Sequence, residues 1–132
     1  MREILFRGKT KHGEWVEGWF IGKKRNAPYA EPRDIPVIAD KYLRCYDVKP
    51  ETVGQYTGLK DRNGTRIFEG DICLCDRNIN DYIDKKAFPV EFDPLRGWIG
   101  VSADGWSEFE GSAWEYAEVI GNIHDNPELL ER

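Results

Sequence analysis

At 132 residues, with 40% hydrophobic and 33% charged side chains, the chain has ordinary domain size and enough apolar content for a core, which excludes a disordered polymer. No run approaches the ~18 apolar residues of a membrane-spanning helix, and a net charge of −5 argues against bulk nucleic-acid binding. Five Trp, six Tyr and six Phe are many for this length, and aromatic side chains suit pleated, half-buried surfaces, so β structure is the expected class.

The opening Met1-Arg2-Glu3-Ile4-Leu5-Phe6-Arg7 lacks the apolar centre of a secretory signal, so the protein is expected to stay in the cytoplasm. Residues 2–6 and 14–21 alternate around Thr10-Lys11-His12-Gly13, which predicts a β-hairpin with Trp15 and Trp19 on one face. Gly18 inside the second strand marks a bulge or a close neighbour. Residues 22–36 read as a loop: Gly22-Lys23-Lys24-Arg25-Asn26-Ala27-Pro28 is basic and turn-prone, and Pro32 and Pro36 follow. Ile35-Pro36-Val37-Ile38-Ala39 predicts a short strand that Pro36 confines to an edge. Tyr42-Leu43-Arg44-Cys45-Tyr46-Asp47-Val48 predicts another strand.

Thr52-Val53-Gly54-Gln55-Tyr56-Thr57-Gly58-Leu59 is rich in β-formers. Lys60-Asp61-Arg62-Asn63-Gly64 then predicts a hairpin turn, because Asn63 and Gly64 accept left-handed backbone at little steric cost. After Thr65-Arg66-Ile67-Phe68, the Glu69-Gly70-Asp71 turn leads into Ile72-Cys73-Leu74-Cys75, whose two apolar faces predict a central strand. Residues 76–89 read as a polar, irregular excursion, a loop or a short helical turn.

Further strands are expected at Pro89-Val90-Glu91-Phe92, at Trp98-Ile99-Gly100-Val101 and at Ala117-Glu118-Val119-Ile120-Gly121-Asn122-Ile123, with turn signals bracketing Trp106-Ser107-Glu108-Phe109. A short C-terminal helix should start at Asn126, where Asn126 can cap, Pro127 suits the first helical position and Glu128 favours the positive end of the dipole. Many short strands at near-regular spacing predict a mainly β fold of one or two small, SH3-like barrels, or a sandwich. It is read as one domain over 1–132, divisible into an N-terminal β part (1–50) and a central and C-terminal barrel part (51–132).

Three blocks together resemble the YopX family of phage and prophage proteins. The first is Arg2-Glu3-Ile4-Leu5-Phe6-Arg7-Gly8-Lys9 with Trp15-Val16-Glu17-Gly18. The second is Pro50-Glu51-Thr52-Val53-Gly54-Gln55-Tyr56-Thr57-Gly58-Leu59-Lys60-Asp61 with Asn63-Gly64 and Ile67-Phe68-Glu69-Gly70-Asp71-Ile72. The third is Glu118-Val119-Ile120-Gly121-Asn122-Ile123-His124-Asp125-Asn126-Pro127-Glu128-Leu129. The resemblance implies a mainly β protein of phage or mobile-element origin in a bacterial host, and it implies no biochemical activity. Residues 76–117 match loosely, so a role particular to this chain is to be sought there.

The residues themselves carry little chemistry. Cys45, Cys73 and Cys75 form an odd set, and reduced, buried thiols are the expectation. Cys73-x-Cys75 is half of a zinc pattern, but Cys45, His12 and His124 lie at none of the usual spacings, so no metal is expected. Neither a nucleophile elbow nor a phosphate loop occurs. An enzyme would have to use Glu69, Asp71 and His124, for which turn or packing roles are the simpler reading. No catalytic residue, cofactor or small-molecule substrate is expected.

Trp15, Trp19, Trp98, Trp106 and Trp114 exceed what a small core needs, although packing accounts for most of them. Charge is unevenly spread: residues 1–33 hold eight basic and four acidic groups, whereas residues 101–131 hold eight acidic and no basic ones. Trp15, Trp19, Lys23, Lys24 and Arg25 therefore make a candidate interaction face. The expected mode is a non-enzymatic one: assembly into a homo-oligomer, basic third against acidic third across subunits, or contact with a phage or host protein. The alternative is a small nucleic-acid-binding barrel, with Trp19 and Phe20 stacking bases and Lys9, Lys11, Lys23, Lys24 and Arg25 on the phosphates.

Overall fold

The computed structural model describes residues 4–25, 34–79, 82–101, 108–110, 114 and 116–130. Trp106 and the stretch 26–33 of the expected basic loop lie outside the described residues. The fold is mainly β, with strands β1 (Phe6–Lys9), β2 (Trp15–Arg25), β3 (Asp34–Ala39), β4 (Cys45–Asp47), β5 (Gly54–Lys60), β6 (Arg66–Phe68), β7 (Asp71–Ile79), β8 (Tyr82–Asp93), β9 (Gly97–Val101), β10 (Glu108–Glu110) and β11 (Ala117–Asn122). The chain divides into two units, Met1–Tyr56 and Thr57–Arg132.

In the first unit the strand order is β4-β3-β2-β1-β5. β1 and β2 form the expected hairpin: the Gly13 amide, at φ 86°, donates to the Thr10 carbonyl at 2.9 Å, and the Thr10 amide donates to Glu14 at 2.8 Å. Gly18 has the close neighbour its position announced. A Cβ there would stand 1.9 Å from the Ala39 carbonyl oxygen, so no larger residue fits. β2 runs beyond Ile21 through Gly22-Lys23-Lys24-Arg25, against β3, and Ile21 is left over as a bulge between Phe20↔Ile38 and Gly22↔Val37. The expected loop is thus strand at 22–25 and again from Asp34. The β3 ladder supplies pairing that local propensity does not ask for, and its register sets Arg25 opposite Asp34.

Pro36 lies on an interior strand rather than an edge. The β4 ladder runs from Val37 to Ala39, so the missing N–H falls at its very end. The Pro36 carbonyl still accepts from the Val48 amide at 3.1 Å. β4 is shorter than the sequence suggests, because Asp40 ties the preceding residues into a turn. Its Oδ1 accepts the amides of Tyr42 and Arg44, both at 2.9 Å, and Leu43 takes the left-handed region at φ 64°. Beyond β4 the chain returns to β1: the Lys49 amide donates to the Lys9 carbonyl at 2.8 Å, and the Lys9 amide donates to Thr52 Oγ1 at 2.8 Å. Val48 fills the space that Gly8 leaves. Ile38, Ala39, Val48 and Tyr56 are the buried apolar residues here.

In the second unit β5 continues and neighbours β6, and a separate sheet has the order β10-β9-β8-β7-β11. The predicted turn is present: the Asp61 amide donates to the Thr65 carbonyl at 2.9 Å, and Gly64 sits at φ 82°. β7 is interior, as its two apolar faces require. Residues 76–79 and 82–89 are strand rather than an irregular excursion. They complete a long hairpin whose register runs from Ile72↔Pro89 to Ile79↔Tyr82. In the register Asp76 falls opposite Lys85 and Arg77 opposite Asp84, in a stretch of sequence without apolar alternation.

The core of this unit is Ile67, Cys73, Phe88, Val90, Trp114 and Ala117. Trp114 donates its indole N–H to the Trp98 carbonyl at 3.2 Å. Gly100 makes room for it, since a Cβ there would lie 2.8 Å from Phe88 Cβ and 3.0 Å from the Trp114 ring. The expected C-terminal helix is a single 3-10 turn, Pro127–Leu130, held by the Leu129 amide on the Asn126 carbonyl at 3.1 Å. The Asn126 side chain turns back to accept the Asn122 amide at 3.3 Å instead of capping forward.

Candidate interaction surface

All five residues of the candidate face lie on β2, but the strand does not present them together. The β1–β2 register sets Arg7 opposite Glu17 and Lys9 opposite Trp15. With side chains alternating, Arg7, Lys9, Trp15, Glu17 and Trp19 share one side of the sheet. The bulge at Ile21 then shifts the phase. Lys23 pairs with Pro36 and Phe20 with Ile38, two positions on one side of β3, so Lys23 joins Phe20 on the side opposite Trp19. Lys24 and Arg25 occupy the register positions opposite Ile35 and Asp34.

Trp15 is half-buried beneath cations: the Arg7 guanidinium carbon lies 4.8 Å from its ring centroid and Lys9 Nζ 5.9 Å. Its neighbours along the strand are open. Trp19, Phe20 and Ile21 are 48%, 37% and 56% exposed. Phe20 meets Phe6 with ring centroids 5.8 Å apart. The sequence reading had no place for Ile21 or Arg7 in this surface. Ile21 is exposed because the bulge removes its cross-strand partner, and a glycine immediately after an apolar run was the available signal for that bulge.

Two of the residues considered for chemistry, Asp71 and Cys73, serve the fold. Asp71 is buried and its Oδ2 accepts the Phe68 amide at 2.8 Å, closing the Glu69-Gly70-Asp71 turn. His124 comes alongside that turn, where the Ile123 amide donates to the Gly70 carbonyl at 2.8 Å. Cys73 is buried in the core, but Cys45 is exposed on β4, which corrects the expectation that the thiols are buried. β4 is an edge strand of only three residues among the described residues, and the Cys45 thiol contacts the Leu43 carbonyl at 3.9 Å. Among the described residues no three His, Cys, Asp or Glu side chains gather as metal ligands, and no helix is long and apolar enough to cross a membrane.

No curated protein matches the chain. A family model described as YopX protein matches residues 6–131, nearly the whole length, and so covers both units and every strand. The chain therefore belongs to the YopX family.

Proposed function

We propose that this protein is a phage or prophage accessory protein that works without catalysis, through self-association or contact with another protein. The observation that carries this reading is the run Trp19-Phe20-Ile21, three large apolar side chains exposed in succession on one strand. Such residues are the anchors of protein interfaces, and rigid aromatics lose little entropy on docking. The basic first third and acidic last third of the chain would give a second copy complementary charge. Part of that acidic charge is already matched within the chain, where Glu118 meets Arg62 at 2.6 Å.

Light scattering after size exclusion, at low and high salt, tests the reading. An oligomer at micromolar concentration that Trp19→Ser weakens supports it. A salt-independent monomer removes the self-association half and leaves contact with another protein to be sought by capture on the β2 surface.

The alternative, a barrel that binds single-stranded nucleic acid, draws support from the bond from the Lys49 amide to the Lys9 carbonyl, which brings the chain after β4 back to β1. Lys11 and Lys23 are exposed, as phosphate contacts would need, but Trp19 and Phe20, the stacking pair, lie on opposite sides of β2. Binding that falls steeply with salt would favour this alternative. No shift of single-stranded probes at low salt would exclude it.

A further inference from the structure

β11 ends its sheet, and no strand lies beyond it among the described residues. An edge strand presents unpaired amides and carbonyls on which another chain can build. Yet the outer edge of β11 is occupied along its length by two turns. The Arg62 amide donates to the Ala117 carbonyl at 3.0 Å, and the Val119 amide donates to Asp61 Oδ2 at 2.9 Å. These are the bonds a neighbouring strand would make at alternate residues, with a carboxylate standing in for one carbonyl. Two residues past the bulge at Ile120, the Asn122 amide donates to Asn126 Oδ1 at 3.3 Å, and the Asn122 carbonyl accepts the Asn126 amide at 2.8 Å.

Asp61 is held for this task. It is buried, and its other oxygen accepts the amides of Asn63 and Thr65, both at 2.9 Å. One carboxylate thus fixes the tip of the β5–β6 hairpin and ties it to β11. The ion pair between Arg62 and Glu118 adds an exposed clamp beside it.

We infer that the Asp61-Arg62 tip and the Asn126 turn form a clasp that seals the outer edge of β11 against strand addition by a second copy of this chain. This inference is independent of the surface proposed on β2. Weakening that surface lowers the mass of an assembly, whereas opening the clasp raises it.

The test uses the full chain as wild type, Asp61→Asn, and Asp61→Asn combined with Val119→Pro. Asp61→Asn leaves one oxygen for the hairpin tip but can turn an amide NH₂ toward the Val119 N–H. Hydrogen exchange at Val119 should rise about tenfold or more on losing a charge-assisted bond, while amides on β7 keep their protection. Light scattering should then show a concentration-dependent increase in mass. Adding Val119→Pro removes the donor a new strand would use, and the mass should return to that of the wild type. Should Asp61→Asn not fold, Arg62→Pro removes the Ala117 bond at a turn position that tolerates proline, and there the mass in light scattering is the readout. Unchanged exchange at Val119, or raised exchange with wild-type mass at every concentration, overturns the inference.

Discussion

The two units put the space beside their glycines to different use. In the second, Trp114 is buried against Phe88, and Gly100 is absent of side chain where the indole needs space. In the first, Gly8 and Gly18 let Val48 and the Ala39 carbonyl approach the backbone, so close packing is achieved by missing side chains, and Trp19, Phe20 and Ile21 stay at the surface. Aromatic content alone therefore does not measure a core. What matters is whether a neighbour leaves volume for the ring. The second unit should be sensitive to removal of atoms. Trp114→Ala should cost about 3–5 kcal/mol in chemical denaturation, from lost burial, the cavity and the stranded Trp98 carbonyl. A loss below about 1 kcal/mol would mean that the indole does not organise this core.

The first unit should be sensitive to addition. Gly18→Ala places a methyl group against a backbone carbonyl that has no rotamer by which to yield. Overpacking of this kind costs about 1–3 kcal/mol, and the rigidity of the obstacle puts it at the upper end. Thermal melting of Gly18→Ala beside Gly22→Ala makes a sharp contrast. A Cβ at Gly22 meets nothing within 4 Å, although its φ of 137° makes a side chain there strained. If Gly18→Ala proved the milder of the two, backbone strain rather than close approach would govern β2, and the contrast between the units would fail.

How much of this was readable depends on the kind of signal each segment carries. Glycine positions were legible: Gly18 as a close approach, Gly64 as a left-handed turn position and Gly70 as a tight turn all follow from what only glycine tolerates. The apolar run at Ile72-Cys73-Leu74-Cys75 announced an interior strand. Polar strands were not legible to a search for apolar alternation. Asp76-Arg77 and Asp84-Lys85 become mutually opposite only when the hairpin folds, and the basic end of β2 becomes strand only because β3 lies beside it. The C-terminal segment carried a good helix start, but Asn126 serves the edge of β11 instead. At the candidate surface one bulge, which alternation alone does not reveal, shifts the phase and moves Lys23 to the side opposite Trp19.

That phase shift gives a smaller prediction. Trp19→Ser should change folding stability by no more than about 0.5 kcal/mol, because the side chain is half exposed and removal opens no interior cavity. Its effect belongs in association, read as lower mass in light scattering. Lys23→Glu, on the opposite side of the sheet, should leave the mass alone if the Trp19 side makes the contact. A loss of assembly on Lys23→Glu with none on Trp19→Ser would move the contact to the Phe20 side.

The smallest effect concerns a device that both units share. Asp40 in the first unit and Asp93 in the second each fold a turn with a carboxylate. For Asp40, desolvation pushes the pKa up, but the amides of Arg44 and Tyr42, with the Tyr46 hydroxyl and the Arg44 charge, together outweigh it and leave the group below its ordinary value. For Asp93 the Leu95 amide is the largest influence, and with Arg96 it overcomes desolvation to the same end. A carboxyl whose folded pKa is depressed adds stability above its unfolded pKa and loses it as pH falls through the folded value. Both turns should therefore hold down to about pH 4 and loosen below it. Amide NMR titration of Tyr42 and Arg44, beside Leu95 and Arg96, should give midpoints under the ordinary aspartate value of about 3.9 for both turns. A midpoint at or above that value in either turn would show that its amides do not hold the ionised carboxylate. The units differ in how their interiors are filled, yet their exposed turns should respond to acid alike, because each is closed by the same few atoms of aspartate and backbone.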